Sequence, residues 1–219
     1  MGFRAAIRFL TILPVRGGDA SPGRAAAFFP LVGAILGAAG AGIYLLTARA
    51  FPVSIAALAT VVFWTAISSV PSILKDGRIG TVGAIAILVS ALVRWQALEY
   101  LATPRVVATL IAAQAVPRAA MVAMAWCSRP AGSGLGRALA STLNTPVAVA
   151  AMAQGAAAAL LCGWRPGLAM IAGTVLIVQA SRAWCYRRIG GVNGSCLGFT
   201  EQLIEIFVLT MFACRSCAW

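Results

Sequence analysis

The stretch that decides the fold is residues 25–47, AAAFFPLVGAILGAAGAGIYLLT, which contains no charged side chain. A helix needs about 20 apolar residues to cross the hydrocarbon core of a bilayer, and this run is longer than that. Residues 52–74 form a second run of nearly the same quality. Both runs predict membrane-spanning helices.

The composition of the whole chain agrees with this prediction. Hydrophobic residues make up 61% of the 219 positions and charged residues only 10%, against about 45–50% and about 25% in soluble domains. A water-soluble fold of this size has no room to bury so much apolar surface, and a disordered chain is far more polar. We therefore predict an all-α, polytopic helical bundle in a membrane.

Further apolar runs follow along the chain and complete the layout. We expect residues 79–93 to be the weakest span because they are short, and Arg165-Pro166 to be the hinge between two neighbouring spans. The prediction is six to seven transmembrane helices, the remaining runs being residues 79–93, 106–127, 146–164, 166–180 and 197–213.

The N-terminus is predicted to be a short amphipathic helix on the membrane surface. Phe3, Ile7 and Leu10 recur at helical spacing, with Arg4 and Arg8 off that stripe. With this segment in the cytoplasm, eleven basic residues fall on the inner side and five on the outer side, which favours that orientation. We predict one domain over residues 1–219, with a cytoplasmic segment at 1–24 and the bundle at 25–214.

The net charge of +12 does not point to nucleic acid. The basic residues separate apolar runs and form no polar domain of their own, as expected for topology signals and contacts with anionic lipid. We expect the lipid bilayer as a partner and no nucleic acid.

Acidic and imidazole groups are scarce, and this limits the chemistry. The chain has no histidine and five carboxylates, which excludes histidine-based catalysis and histidine metal sites. Glu201 and Glu205 stand at i and i+4, so both project from one helical face, where like charges repel unless a cation lies between them. With Asp76 they would offer oxygen ligands for Mg²⁺. The alternative is that both glutamates pair with Arg187 or Arg188, or reach the lipid headgroups.

Two further features suggest an anionic substrate. Gly190–Gly198 leads into the last helix, and glycine-rich backbone at a helix N-terminus attracts phosphate. Arg118 lies inside a predicted span, where an arginine needs a partner or a ligand. Together with basic groups on the inner loops, these features predict an intramembrane site for a phosphorylated substrate.

Six segments, in this order, resemble the cobalamin synthase family, adenosylcobinamide-GDP ribazoletransferase. Their order and their spread over nearly the whole chain make the resemblance specific. The segments are FLTILPV at 9–15, FPLVGAILG at 29–37, KDGRIGT at 75–81, PRAAM at 117–121, GLG at 134–136 and RIGGVNGSCLG at 188–198, followed by Glu205.

The resemblance implies a multi-pass inner-membrane transferase of B12 biosynthesis. Such enzymes join adenosylcobinamide-GDP to α-ribazole or its 5′-phosphate, with Mg²⁺, and release GMP. It implies Asp76, Arg78 and Glu205 as catalytic residues and Asp76 and Glu205 as metal ligands. Glu201 is specific to this sequence, and we predict it as an assisting metal ligand from its spacing to Glu205. The substrate-binding residues would be Lys75, Arg118, Arg129, Gly191, Asn193, Gly194 and Ser195. A homo-oligomer or a membrane complex of the B12 pathway stays open.

The sequence departs from the family pattern at its acidic positions. Residues 63–74 contain no acid, where the family carries an Asp-rich segment, and the family's Thr-Gly-Asp is Asn193-Gly194-Ser195 here. This leaves an alternative function open: a weakened or inactive homologue that binds corrinoids or supports an assembly in the membrane.

Overall fold

The computed structural model describes residues 2–11, 13, 21–69, 81–101, 105–132 and 134–214. The described residues are helical apart from turns and one isolated bridge. In chain order the helices are α1 Gly2–Leu10, α2 Pro22–Ala25, α3 Phe29–Thr47, α4 Val53–Trp64, α5 Thr81–Glu99, α6 Val106–Trp126, α7 Leu135–Thr142, α8 Thr145–Leu160, α9 Trp164–Ile189 and α10 Gly194–Ala213.

The predicted all-helical membrane bundle is confirmed. Within the described residues, four helices are long and apolar enough to cross a bilayer: Pro22–Thr47, α6, α9 and α10. The number of spans rises to five if α7 and α8, which meet at a bend of 112°, are counted together as one broken span. The described part of the chain therefore supports four or five spans, fewer than the six to seven predicted.

Helix α6 is the centre of the bundle. It packs against α3, α8 and α10, and nearly all of its side chains are buried. Pro117 lies inside this helix without ending it. Because α3, α8, α9 and α10 pack around α6, a polar side chain on α6 lies deep in the protein.

Glycines allow α3 to approach α6 closely. A Cβ atom on Gly33 would lie 2.3 Å from the Gln114 carbonyl oxygen, and one on Gly37 would lie 2.4 Å from the Leu110 carbonyl oxygen. One turn further along α3, Gly40 packs against the ring of Trp64, whose indole donates a hydrogen bond to the Leu36 carbonyl oxygen at 3.1 Å. The G-x-x-x-G pattern thus serves helix packing, as small residues do in membrane proteins.

Helix α1 packs on the end of the bundle. Ala6 and Leu10 are buried, whereas Arg4 and Arg8 are exposed. Phe9 stacks on Phe29 with ring centroids 5.0 Å apart. The predicted amphipathic helix therefore exists, with its apolar stripe against the protein.

Two boundaries differ from the sequence prediction. The hinge at Arg165-Pro166 is wrong: the turn lies at residues 161–163, and Pro166 belongs to the first turn of α9, where a missing N–H costs little. The third span, predicted at residues 79–93, is α5, which continues to Glu99. Arg94, which was counted among the five basic residues outside the spans on the outer side, therefore lies inside a helix and is buried.

Candidate active site

The last helix carries one buried and one largely buried carboxylate. Glu205 is 3% exposed, and the Glu201 side chain is 15% exposed. Both approach arginines from neighbouring helices, so the alternative pairing with Arg187 or Arg188 is wrong. One helical face of α10 thus meets two cations inside the bundle.

The first ion pair joins α6 to α10. Arg118 Nη2 lies 3.5 Å from Glu201 Oε1, and its Nη1 donates to the Gln114 carbonyl oxygen at 2.6 Å and to Gln114 Oε1 at 2.7 Å. Arg118 Nε and Gln114 Nε2 have no hydrogen-bond partner among the described residues. The partner that Arg118 requires inside the membrane is therefore Glu201. The Nε–H group of Arg118 remains available to donate a further hydrogen bond.

The second ion pair joins α5 to α10 and was missed by the sequence analysis. Arg94 Nη1 lies 3.1 Å from Glu205 Oε1, with side-chain exposures of 5% and 4%. Arg94 Nη2 donates to Ser90 Oγ at 2.7 Å and also to Gln202 Oε1. The guanidinium is therefore held from three sides, and Glu205 is its only carboxylate partner among the described residues.

The position of Arg94 could have been found from one signal. An arginine followed by Trp95, Gln96 and Ala97 without a proline or glycine permits the helix to continue past it. The predicted apolar run ended at residue 93, before the first charged side chain, and Arg94 was therefore placed outside the span. Charges inside membranes almost always face the protein interior and pair with one another, as these do.

Two loops form the end of the bundle from which α10 begins. Residues 129–131 and 192 are joined as a short parallel bridge: Val192 N donates to the Arg129 carbonyl oxygen and Ala131 N to the Val192 carbonyl oxygen, both at 2.9 Å. Arg129 N also donates to the Tyr186 hydroxyl at 2.7 Å. We call residues 127–132 and 190–193 the loop pair.

The glycines of this region serve the packing of the loop pair. A Cβ atom on Gly191 would lie 2.6 Å from the Arg129 carbonyl oxygen, and one on Gly136 would lie 2.3 Å from Gly194 N. Asn193 caps α10, since its side-chain oxygen accepts a hydrogen bond from Cys196 N at 2.9 Å. Gly194 and Ser195 remain exposed at the helix N-terminus, and the Arg129 side chain is exposed beside them.

The predicted site residues therefore form two layers. Glu201 is seven residues and Glu205 eleven residues from the start of α10, about 10 Å and about 16 Å along the helix axis. The exposed groups of the loop pair and the buried ion pairs lie at different depths. Lys75, Asp76 and Arg78 lie outside the described residues, so their predicted roles stay predictions.

The described carboxylates do not fit a magnesium site by themselves. Each predicted glutamate ligand already has an arginine as counter-ion. Within the described ranges no three His, Cys, Asp or Glu side chains lie together as a metal site would need. Mg²⁺ usually takes one or two protein carboxylates and the remaining oxygens from phosphate and water, but here the arginines compensate the charge it would meet.

The fold and the site define a helical membrane protein with two buried Arg–Glu pairs below a glycine-rich loop end. The chain belongs to the cobalamin-5-phosphate synthase family, whose model matches residues 2–71 and 68–213. The resemblance noted in the sequence is therefore confirmed.

Curated relatives agree with the family match. Three proteins named adenosylcobinamide-GDP ribazoletransferase are similar over nearly their whole length. That of Ralstonia nicotianae is 34% identical over 93% of this chain and 91% of its own. That of Geotalea daltonii is 30% identical over 93% of each chain, and that of Stutzerimonas stutzeri is 31% identical over 95% of this chain and 96% of its own. No solved structure matches the chain significantly.

The family match is divided at an informative place. Its two parts meet at residues 68–71, inside the acid-free stretch where the family's Asp-rich segment was expected. The alignment with the Ralstonia nicotianae relative spans 251 positions, more than the 219 residues of this chain. Both observations support a deletion in this chain relative to its family.

Proposed function

We propose that this protein is an adenosylcobinamide-GDP ribazoletransferase. It joins adenosylcobinamide-GDP to α-ribazole or its 5′-phosphate and releases GMP. The observation that carries the proposal is the family match over nearly the whole chain, with relatives of that name at 30% identity and above. The alternative of a non-catalytic corrinoid-binding protein is not favoured by these relatives.

The charge at the loop end supports a diphosphate substrate. Arg129, Arg187 and Arg188 are exposed there, and the three described acids lie elsewhere, at Glu99, Glu201 and Glu205. In the reaction a ribose hydroxyl forms a new P–O bond at the phosphoryl group next to the corrinoid linker, and the bond to GMP breaks. Exposed guanidinium groups stabilise the charge of the leaving phosphate, because electrostatic stabilisation dominates phosphoryl transfer.

Each layer of the site has its own role in this proposal. Arg129, Gly194 and Ser195 contact the diphosphate at the surface, whereas Gly191 is buried and acts indirectly by letting the two loops pack closely. Asn193 acts indirectly, since its side chain holds the first turn of α10. Arg118, Glu201 and Glu205 fix α10 below the loops, and Lys75, Asp76 and Arg78 complete the substrate contacts. Asp76 remains our candidate for a Mg²⁺ ligand.

Complementation tests the function directly. A strain without its own synthase, supplied with this gene, should grow on cobinamide without added cobalamin. Purified protein in liposomes should release GMP from adenosylcobinamide-GDP only when α-ribazole or its phosphate is present. Absence of both growth and GMP release, from protein that is present in the membrane, would establish the non-catalytic alternative.

A paired substitution tests the site. Asp76→Asn with Glu205→Gln should abolish GMP release, and Glu99→Gln, whose carboxylate makes an exposed contact with Gln96, should not. Activity that survives the paired substitution would remove both residues from the site.

The protein is a multi-pass membrane protein, and we propose the bacterial inner membrane with the N-terminus in the cytoplasm. The excess of basic residues on the predicted inner side supports this orientation. We further propose that the protein forms a homo-oligomer or a complex with other B12 enzymes. Crosslinking in membranes tests both assemblies.

A further inference from the structure

An apolar groove runs along the outside of the bundle between α6, α8 and α9. Its volume is about 340 Å³, and its lining is apolar apart from Thr174 and Gln179. Its floor is the contact between α6 and α8, where a Cβ atom on Gly155 would lie 2.3 Å from Ala119 Cβ. The groove lies on the face of α6 opposite to Arg118, because residues 116, 119, 120 and 123 line it. It is therefore separate from the candidate active site.

The length of the groove matches one leaflet of a bilayer. Its lining on α6 extends from Val116 to Cys127, about 16 Å along the helix axis. The hydrocarbon core of a bilayer is about 30 Å thick, so one leaflet contributes about 15 Å. Trp126, 44% exposed, lines the end of the groove next to the loop pair, at the level where tryptophans meet the membrane interface.

A cation continues the groove at that same end. Val175, Val178 and Gln179 line the groove on α9, and Arg182 follows one turn further along the same helical face. The Arg182 guanidinium lies 5.4 Å from the centroid of the Tyr186 ring, and its Nη1 lies 3.5 Å from Gln179 Oε1. The ion pairs of the described residues belong to Arg94 and Arg118, so no described carboxylate neutralises Arg182.

We propose that this groove binds one anionic phospholipid of the leaflet at the loop end. One acyl chain fills the groove from Trp126 down to Val116, and the headgroup phosphate contacts Arg182. The proposal commits to a lipid because the groove is open to the outside of the apolar bundle at Val175, which is 53% exposed, and its length matches that of a leaflet. An apolar channel that ends beside an unneutralised interfacial cation fits an amphipathic anion.

Lipid retention by the intact protein tests the proposal. The full chain is exchanged into mixed micelles with equal amounts of phosphatidylglycerol and phosphatidylcholine of identical acyl chains, and bound lipids are counted by native mass spectrometry. The wild type should retain one phosphatidylglycerol. Val175→Trp, which fills the groove from α9, and Ala156→Phe, which fills it from α8, should each lower retention at least tenfold. Leu176→Trp, at a neighbouring position that is 70% exposed and does not line the groove, should leave it unchanged.

A second pair of variants separates the headgroup from the chain. Arg182→Gln should reduce the preference for phosphatidylglycerol over phosphatidylcholine about fivefold, as expected for one cation at an anionic surface. Arg165→Gln, whose guanidinium stacks on Trp164 at the other end of α9, should not change it. An unchanged preference after Arg182→Gln, or unchanged retention after both groove-filling substitutions, would overturn the proposal.

Thr174 distinguishes a lipid from a polar ligand. Its hydroxyl lines the groove and has no hydrogen-bond partner among the described residues. An acyl chain makes no use of a hydroxyl, so Thr174→Val should keep full lipid retention. Loss of retention in Thr174→Val, or displacement of the lipid by α-ribazole or adenosylcobinamide-GDP, would assign the groove to a polar ligand instead.

Discussion

At the scale of single residues, the buried arginines Arg94 and Arg118 require carboxylate partners, and the last helix supplies them. Removing two charges from water costs several kcal/mol per ion, and only a close partner with further hydrogen bonds compensates for it. Arg94 has such a partner in Glu205 and further acceptors in Ser90 and Gln202. Loss of either charge therefore leaves the other one buried and uncompensated.

A double-mutant cycle measures this dependence. Arg94→Gln or Glu205→Gln alone should each lower the free energy of unfolding by about 3–5 kcal/mol, and the pair of substitutions by less than their sum. Thermal or denaturant unfolding in detergent gives the measurement, with Glu99→Gln as the control. Additive effects of the two substitutions would show that the ion pair contributes no coupling.

Cysteine reactivity offers a test with a defined pH dependence. Burial raises the pKa of the Cys162 thiol to about 11. Only the thiolate reacts, so maleimide labelling of Cys162 should be slow at pH 8 and should rise about tenfold per pH unit up to about pH 10. The labelling rate is measured over this pH range by the mass shift of a variant in which Cys162 is the only cysteine. A rate that levels off below pH 9 would contradict the burial of this thiol.

At the scale of helices, the close contact of α3 with α6 positions Arg118. Gly33 lies against both the Gln114 backbone and Arg118 Cδ, which is 2.7 Å from the position of a Cβ atom on Gly33. A side chain there would push the helices apart and displace the ion pair with Glu201. Arg118 of α6 therefore takes part both in the packing against α3 and in the ion pair with Glu201 of α10.

A pair of glycine substitutions tests this contact. Gly33→Ala should destabilise the protein and reduce GMP release, because the added methyl group would meet backbone atoms. Gly42→Ala, on the same helix with no atom within 4 Å of its Cβ position, should be neutral or slightly stabilising. Melting temperatures of the two variants provide the comparison, and equal values would contradict the close approach.

The sequence predicted those features that depend on helical geometry alone. The spacing of Glu201 and Glu205 and the requirement of Arg118 for a partner follow from the helix period and the cost of burial. Arg94 was misplaced because its environment depends on Glu205, 111 residues later in the chain. The sequence did not reveal that Gly191 and Gly194 also pack the loop pair, because that role depends on Arg129 and Gly136, which are distant in the chain.

At the scale of the whole molecule, the two ends of the bundle are chemically different. The loop pair lies at one end, whereas Cys162 lies near Thr109 and Arg105, at the opposite end of α6 from Cys127. Exposed arginines are present at both ends, for example Arg129 at the first and Arg165 at the second. The two ends therefore differ in their loops, and we expect the end with the loop pair to be the one that meets the substrate.

Orientation in the membrane can be measured with Cys127. A protein with Cys127 as its only cysteine should react with a membrane-impermeant maleimide in inside-out vesicles and not in right-side-out spheroplasts. Cys127 is exposed in the loop pair, at the end of the groove, where a water-soluble reagent approaches it from one side of the membrane. Labelling in spheroplasts would reverse the proposed topology.

The two ion pairs also set the order in which this protein matures. Chains are synthesised from the N-terminus, so α5 and α6 leave the ribosome before α10 exists. Until α10 arrives, Arg94 and Arg118 lack the carboxylates that neutralise them in the finished bundle. Insertion of α10 is consequently the event that completes the bundle, and a chain released before residue 201 would carry two unneutralised cations that a membrane quality-control protease can recognise.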